Sequence, residues 1–278
     1  MSSLENFRIC FIGGGNMAES LIAGLINNHC PANNINVSDP NTKQLTKIKE
    51  HYSINVFSSN QLAITDADII ILAVKPQIMK EVATGLIDSL KSDQLIVSIA
   101  AGITCQNLQT WLPAESPLIR IMPNTPAQVQ SGVSALYATP AVNQSQKEMT
   151  DIIFKAVGSN VWFDDEHKLH AVTAISGSGP AYFLLMIEAM ENAAIDLGLE
   201  PDQARELSIK TGLGAAKLAQ ESTESPALLR ENITSPGGTT EQALNQFEQG
   251  QLRTLVKQAT RAAYEKSIEL SEQLGGSK

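Results

Sequence analysis

The stretch RICFIGGGNMAES, Arg8–Ser20, decides how the rest of the chain is read. Arg8–Ile12 is an apolar run of strand length. It breaks into three glycines, and a helical pattern follows from Asn16 to about Asn27. Gly13-Gly14-Gly15-Asn16-Met17-Ala18 has the G-x-G-x-x-G/A form directly after a strand. Gly13 allows the tight turn and Gly15 lets a pyrophosphate approach the backbone. Ala18 lets helix and strand pack closely, and the helix N-terminus faces the phosphates.

Outward from this turn the chain keeps alternating. INVS (Ile35–Ser38), INVF (Ile54–Phe57), DIIILAV (Asp68–Val74), LIVSIA (Leu95–Ala100) and PLIRIM (Pro117–Met122) read as strands separated by helices. Asp68–Val74 is apolar throughout after its first residue, as expected of a central parallel strand covered on both faces. Val133–Tyr137 and Asn160–Phe163 are further strands flanking a helix near Gln144–Val157. The pattern predicts an α/β fold: an N-terminal Rossmann-type doubly wound sheet. After about Asp165 the strands stop, and helical patterns run over Lys168–Ile175, Ala181–Leu197, Pro201–Glu221, Pro226–Glu231, Thr240–Gln249 and Gln251–Leu274. Residues 1–165 are expected to form the dinucleotide-binding domain. Residues 166–278 are expected to form an all-helical dimerisation and substrate-binding domain.

Composition sets the outer limits. Of 278 residues, 43% are hydrophobic and 18% charged, which suits a globular core. A net charge of -9 and a pI near 5.0 disfavour nucleic acid or an anionic membrane surface as partner. Cys10, Cys30 and Cys105 fit neither a zinc site nor a redox pair, so they read as buried thiols in a reducing cytoplasm. No metal-ligand spacing and no signal peptide are visible. The longest uncharged run, Ala171–Ile187, is short for a membrane span and is interrupted by Gly-Ser-Gly-Pro. Phe183 to Met190 are apolar on nearly every helical face, which predicts burial in a homo-oligomeric interface.

Other strand tips carry polar candidates. The second strand ends in VSDP. Asp39, 24 positions past Gly15, could accept from a ribose 2′-hydroxyl and favour NAD(H), or could cap a helix. Ser38, Asn41, Thr42 and Lys43 could instead hold a 2′-phosphate. ILAVKPQ (Ile71–Gln77) and VSIAAGI (Val97–Ile103) end on the carboxyl edge of the sheet, where such folds bind ligands. Pro76 starts a helix with Lys75 at its mouth. RIMPNTPA (Arg120–Ala127) reads as rigid loop chemistry with a structural bias. SGSGPAY (Ser176–Tyr182) joins two helices through small residues, for packing or for a ligand.

ITSPGGTTEQAL, Ile233–Leu244, halts the helical region with two glycines and then starts a new helix. The first helix turn offers free N–H groups, and Gly237 and Gly238 remove obstructing side chains. Thr239 and Thr240 add hydroxyls. This is a cradle for a carboxylate. His29, His51, His167 and His170 form no recognisable dyad. An iminium carbon is already activated for hydride, so a dinucleotide site, a carboxylate cradle and no strong acid fit reduction of a cyclic imino acid.

These motifs resemble the pyrroline-5-carboxylate reductase family nearly end to end: FIGGGNMAESL, LAVKPQ, VSIAAGI, RIMPNTPA, SGSGPAYFLLMIEAM and LLRENITSPGGTTEQAL. The resemblance implies reduction of 1-pyrroline-5-carboxylate to L-proline by NADP(H), with NAD(H) the alternative, as the last step of proline biosynthesis. It implies an interlocked helical homodimer and often a ring of five dimers. Implied cofactor contacts are Ile12, Gly13, Gly14, Gly15, Asn16 and Met17, the vicinity of Ser38, and Asn60, Ala73, Val74, Lys75, Pro76, Ala100, Ala101 and Gly102. Implied substrate contacts are Asn232 and Gly238 to Thr240, with Thr240 nearest the imine. Asp165 matches a position where some relatives have Glu. The family often has Arg where this chain has Pro40. Two rivals are a 3-hydroxyacid dehydrogenase, whose helical lysine finds no matching context at Lys210 or Lys217, and a non-catalytic dinucleotide-sensing module.

Overall fold

The computed structural model describes residues 4–275. The chain divides into two compact units. One holds everything up to Gly177 together with the stretch from Ala263 onward; the other is Ser178–Ala262.

In the first unit, β1 (Ile9–Ile12), β2 (Ile35–Ser38), β3 (Asn55–Phe57), β4 (Ile69–Leu72), β5 (Leu95–Ser98), β6 (Leu118–Met122), β7 (Gly132–Ala138) and β8 (Gly158–Phe163) form one sheet. Its order is β3-β2-β1-β4-β5-β6-β7-β8. The first six strands are parallel, β7 is antiparallel to β6, and β8 is parallel to β7. Strand alternation builds a core on each face. Ile9, Phe11, Ile69, Ile71, Leu95 and Val97 enter one; Cys10, Ile12, Ile70, Leu72 and Ile96 enter the other. That is why β4 reads as continuous apolar sequence. The order reverses between β1 and β4, the switch point at which ligands bind in doubly wound sheets.

The helices of this unit are α1 (Asn16–Asn27), α2 (Thr42–Tyr52), α3 (Asn60–Ile64), α4 (Met79–Thr84), α5 (Cys105–Trp111), α6 (Gln144–Lys155) and α7 (Lys168–Val172). The second unit contains α8 (Gly179–Asp196), α9 (Pro201–Glu221), α10 (Pro226–Asn232) and α11 (Thr239–Gln249). α12 (Leu252–Gly275) begins in the second unit and ends in the first.

The first compact unit extends past residue 165. Leu169, His170 and Ala174 are buried, and a Cβ on Gly177 would meet Met122, so residues 166–177 pack with the sheet. The end of α12 returns there: Leu274 joins the second core cluster, and a Cβ on Gly102 would lie 3.0 Å from it. Ser176–Tyr182 lies where α7 passes into α8: a π-helical turn, Thr173–Gly177, follows α7, and Ser178 is the N-cap of α8. Pro180 has no N–H to give the carbonyl four residues back. That carbonyl, on Ser176, instead accepts from Asn124 Nδ2 at 3.2 Å, while Asn124 Oδ1 accepts from Val133 N at 2.9 Å. Asn124 gives the Pro-Asn-Thr-Pro loop its structural role.

Among the described residues, Lys168–Asp196 is the one helix long and apolar enough to cross a membrane. α8 is not buried within a single chain: Phe183, Leu184 and Leu185 are 74%, 65% and 66% exposed. Its cover inside the unit comes from α9, where Gly212 lets Ile187 approach.

Candidate active site

The glycine turn lies at the switch point as a folded whole. Gly13 has φ of +101°, and a Cβ there would stand 2.7 Å from the Ala73 carbonyl oxygen, so only glycine fits between β1 and the end of β4. Gly13 N donates to the Ser38 carbonyl at 2.7 Å. Gly15 is the N-cap of α1, no side chain caps that helix, and nothing lies within 4 Å of where its Cβ would be. The first turn of α1 thus presents free N–H groups to open space, an anion site by geometry and dipole.

Beside it lies a cleft of about 750 Å³. Ile12, Gly13, Gly15, Ser38, Asp39, Asn60, Ala73, Val74 and Lys75 all line it, together with Pro40, Ser58 and Ser59. Sequence positions as distant as 12, 38, 60 and 75 meet there. Gly14, Asn16 and Met17 belong to the adjoining turn. Pro76 begins a short 3-10 turn with Lys75 as its N-cap. Ala100, Ala101 and Gly102 follow β5 on the same carboxyl edge but do not line this cleft. Gly102, with φ of +78°, is held against α12 instead.

The cleft fits a dinucleotide by two observations: the unobstructed Gly15, and the Ser38 hydroxyl, which is buried without a hydrogen-bond partner. A buried hydroxyl left unpaired is costly, and a ligand atom would satisfy it. Asp39 is differently engaged from the two roles expected of it. Oδ2 accepts from Gly14 N and Oδ1 from Asn41 N, both at 2.8 Å. The cap of α2 is Asn41, whose Oδ1 accepts from Lys43 N and Gln44 N. Sequence reading missed Gln44, whose amide donates to the Gly14 carbonyl at 2.7 Å.

The second unit holds the other motif. Gly237 has φ of +73°, Gly238 is the N-cap of α11, and no side chain caps that helix. The cradle is narrower than expected. Gly237 N donates to Glu241 Oε2 at 2.8 Å and Gly238 N to the Ser235 carbonyl at 3.0 Å. Both glycine N–H groups are taken by the turn itself, which leaves the first-turn amides of Thr239 and Thr240. Asn232 ends α10 and its Nδ2 donates to Glu224 at 3.0 Å.

Two arrangements elsewhere in the first unit were not foreseen. Arg120, buried to 2% exposure, reaches Glu166 Oε1 at 2.9 Å, and the same oxygen accepts from Cys105 N at 2.8 Å. Asp165, the position suggested by the family resemblance, accepts from His167 N at its carboxylate and from Lys168 N at its carbonyl. His170 Nδ1 lies 2.9 Å from Ser267 Oγ, a pairing that no sequence pattern suggests. All three cysteines are free and buried. Burial pushes the Cys30 thiol up to about 11 and raises Cys10 and Cys105 as well, so none is a ready nucleophile.

A doubly wound sheet with a glycine turn at its switch point defines the class, a dinucleotide-binding protein of Rossmann type. Residues 8–102 match the NADP oxidoreductase, coenzyme F420-dependent family, and residues 166–270 match the pyrroline-5-carboxylate reductase dimerisation family. The pyrroline-5-carboxylate reductase of Pseudomonas aeruginosa is 50% identical over 268 residues, covering 96% of this chain and 98% of that one. The Pasteurella multocida enzyme is 42% identical, covering 95% and 98%. A solved reductase from Coxiella burnetii superposes with a TM-score of 0.91 at 41% identity, over 95% of this chain and 98% of that one. A Plasmodium falciparum reductase with NADP bound gives 0.86 at 31% identity, over 96% and 99%. The chain belongs to the pyrroline-5-carboxylate reductase family.

Proposed function

We infer that the chain reduces 1-pyrroline-5-carboxylate to L-proline with NADPH, the last step of proline biosynthesis. The observation that carries this is family membership along nearly the whole chain, with the glycine-turn cleft in one unit and the uncapped Ser235–Thr240 turn in the other. The dinucleotide, when bound, supplies the hydride. Ile12 to Met17 give it a backbone surface and a helix N-terminus for its pyrophosphate. Ser38, Asn60 and Ala73–Pro76 line the rest of its path, with Ala100–Gly102 further along the same edge.

The substrate carboxylate is assigned to the Thr239 and Thr240 amides at the positive end of α11. Gly237 and Gly238 keep the approach open, and Asn232 borders it. Thr240 Oγ1 is assigned to the imine nitrogen, which fixes the ring so that its C=N carbon receives the hydride. Hydride addition moves the π pair onto nitrogen. A protonated imine needs no acid at that step.

The working assembly is a homo-oligomer with a dimer as its unit, since the dimerisation match spans the exposed face of α8. A ring of five dimers is its proposed larger form, and the free thiols suit a cytoplasmic setting. Oxidation of NADPH on adding pyrroline-5-carboxylate, followed at 340 nm as a routine absorbance readout, tests the activity. Absence of turnover with either NADPH or NADH sinks it. Light scattering tests the assembly, and a stable, active monomer would defeat that part.

A further inference from the structure

Three consecutive peptides of the glycine turn are held from outside the turn. The Gly13 N–H goes to the Ser38 carbonyl at 2.7 Å. The Gly14 N–H goes to Asp39 Oδ2 at 2.8 Å. The Gly14 carbonyl receives Gln44 Nε2 at 2.7 Å. A carbonyl only accepts, so the Gln44 amide must turn its nitrogen to it. Gln44 itself is held at 3.4 Å from Glu19 Oε2, and Lys47 fixes that carboxylate at 2.9 Å.

The direction of these bonds matters. In a trans peptide the C=O of one residue and the N–H of the next point opposite ways. Drawing the Gly14 carbonyl towards α2 turns the Gly15 N–H away from α2. A Cβ on Gly15 would meet nothing within 4 Å, so no side chain blocks a ligand from approaching this peptide. A side chain at position 14 would crowd this contact with α2, since a Cβ there would lie 3.0 Å from Ile48 Cδ1. Asp39 has meanwhile committed both carboxylate oxygens to backbone amides, Gly14 and Asn41.

We propose that Gln44 and Asp39 form a positioning pair that sets the Gly14 peptide, and with it the phosphate-facing amides of the turn, and that Asp39 does not choose between NADPH and NADH. This rests on the dinucleotide reading of the cleft. Each residue acts through Gly14 and neither is a catalytic residue. A selector would contact the ribose and favour one cofactor. A turn anchor acts on the pyrophosphate, which both cofactors share.

The test measures Kd for NADPH and NADH by titration calorimetry on the purified oligomer. Gln44→Met keeps size and removes the donor. It should weaken both cofactors by about fivefold to tenfold, the loss expected of one hydrogen bond. kcat at saturating cofactor and KM for the imine should hold, and Gln44→Lys, which keeps a donor, should recover most of the affinity. Asp39→Asn sets an NH₂ against one of two backbone N–H groups. It should weaken both cofactors with their ratio preserved to within about twofold. Unchanged affinities in Gln44→Met, or a fall in Tm alone, would overturn the role of Gln44. A shift of about tenfold or more in the cofactor ratio of Asp39→Asn would make Asp39 a selector. Wild-type protein that bound neither cofactor would instead remove the dinucleotide reading, and the inference with it.

Discussion

Nδ1 of His170 on α7 lies 2.9 Å from Oγ of Ser267 on α12, 97 residues later, and both side chains are buried. The bond ties the two passages of the chain that leave and re-enter the sheet-bearing unit. Burial holds the His170 pKa below its ordinary value, with the Arg120 and His167 charges adding to the effect and Glu166 opposing it. The folded protein therefore keeps His170 neutral where the unfolded chain would protonate it.

The sign of the pH effect follows. Below the unfolded value of about 6.5 the unfolded state binds a proton that the folded state refuses. Stability contributed by neutral His170 is present above that pH and is lost as pH falls towards the depressed folded value. Tm should drop between pH 7.5 and pH 5.5, and His170→Gln should flatten that slope at fixed protein concentration. Ser267→Ala should lower Tm at pH 7.5 by about 2–4 °C, the effect of about 1 kcal/mol in a chain of this size. Equal slopes in wild type and His170→Gln would refute the assignment.

The Arg120–Glu166 pair joins the middle of β6 to the start of α7 and, through Cys105 N, to the first turn of α5. Removing one partner strands the other. Glu166→Ala should cost about 3–5 kcal/mol by leaving the Arg120 guanidinium buried and unpaired. Arg120→Met combined with Glu166→Gln should cost far less than the two single changes summed. Chemical denaturation of the wild type, Arg120→Met, Glu166→Gln and the double variant closes the cycle, and simple additivity would count against coupling.

Gly13 and Gly15 look alike in sequence but should fail differently. Gly13→Ala places a Cβ 2.7 Å from the Ala73 carbonyl at a φ of +101°, so stability and cofactor affinity should fall together. Gly15→Ala meets nothing within 4 Å, so Tm should stay within a degree or two. Its methyl group would stand where the pyrophosphate approaches, and Kd for both cofactors should rise by about tenfold or more. Melting and binding curves on both variants separate the two cases. A Gly15→Ala protein with wild-type affinity would mean the phosphate lies elsewhere.

The strands, the glycine turn and most helices were legible because each depends on neighbours in sequence. Ile9–Ile12 and Ile69–Leu72 announce two covered faces, and Gly13–Ala18 announces its turn. What escaped depends on partners far along the chain. No pattern connects Asn124 to Ser176, Arg120 to Glu166 or His170 to Ser267, which are 52, 46 and 97 positions apart. The run from Ser176 to Pro180 was legible as a junction of two helices, but the π turn before it was not, because the Ser176 carbonyl takes its donor from Asn124. The return of α12 to the first unit escaped for a related reason: its contacts there involve Gly102, Ser267 and Leu274, and no single stretch contains them. In the candidate site the residues were legible but their engagements were not. Asp39 was visible as a carboxylate at the right distance, whereas its grip on Gly14 and Asn41 exists only in three dimensions.

The Ser235–Thr240 turn gives the last prediction. Glu241 and the Ser235 carbonyl already occupy the Gly237 and Gly238 amides, so the turn holds its shape without any help from Thr240. Thr240 is not the cap of α11, since Gly238 is, and no side-chain bond caps that helix. Thr240→Ala should therefore leave Tm and cofactor affinity nearly unchanged. If the hydroxyl orients the imine, kcat/KM for pyrroline-5-carboxylate should fall by about 1–3 kcal/mol in transition-state terms, roughly five- to two-hundredfold. Thr240→Ser, which keeps the oxygen, should recover most of that loss. Gly238→Val should be worse on two counts. Its Cβ would press to 3.0 Å from the Ser235 carbonyl, and its branches would fill the approach to the Thr239 and Thr240 amides. Glu241→Gln should loosen the Gly237 amide and lower kcat/KM more modestly, because a neutral acceptor holds an N–H less tightly than a carboxylate. Steady-state kinetics beside melting curves decide the matter. A Thr240→Ala enzyme with full kcat/KM and a lower Tm would reduce the motif to a helix start.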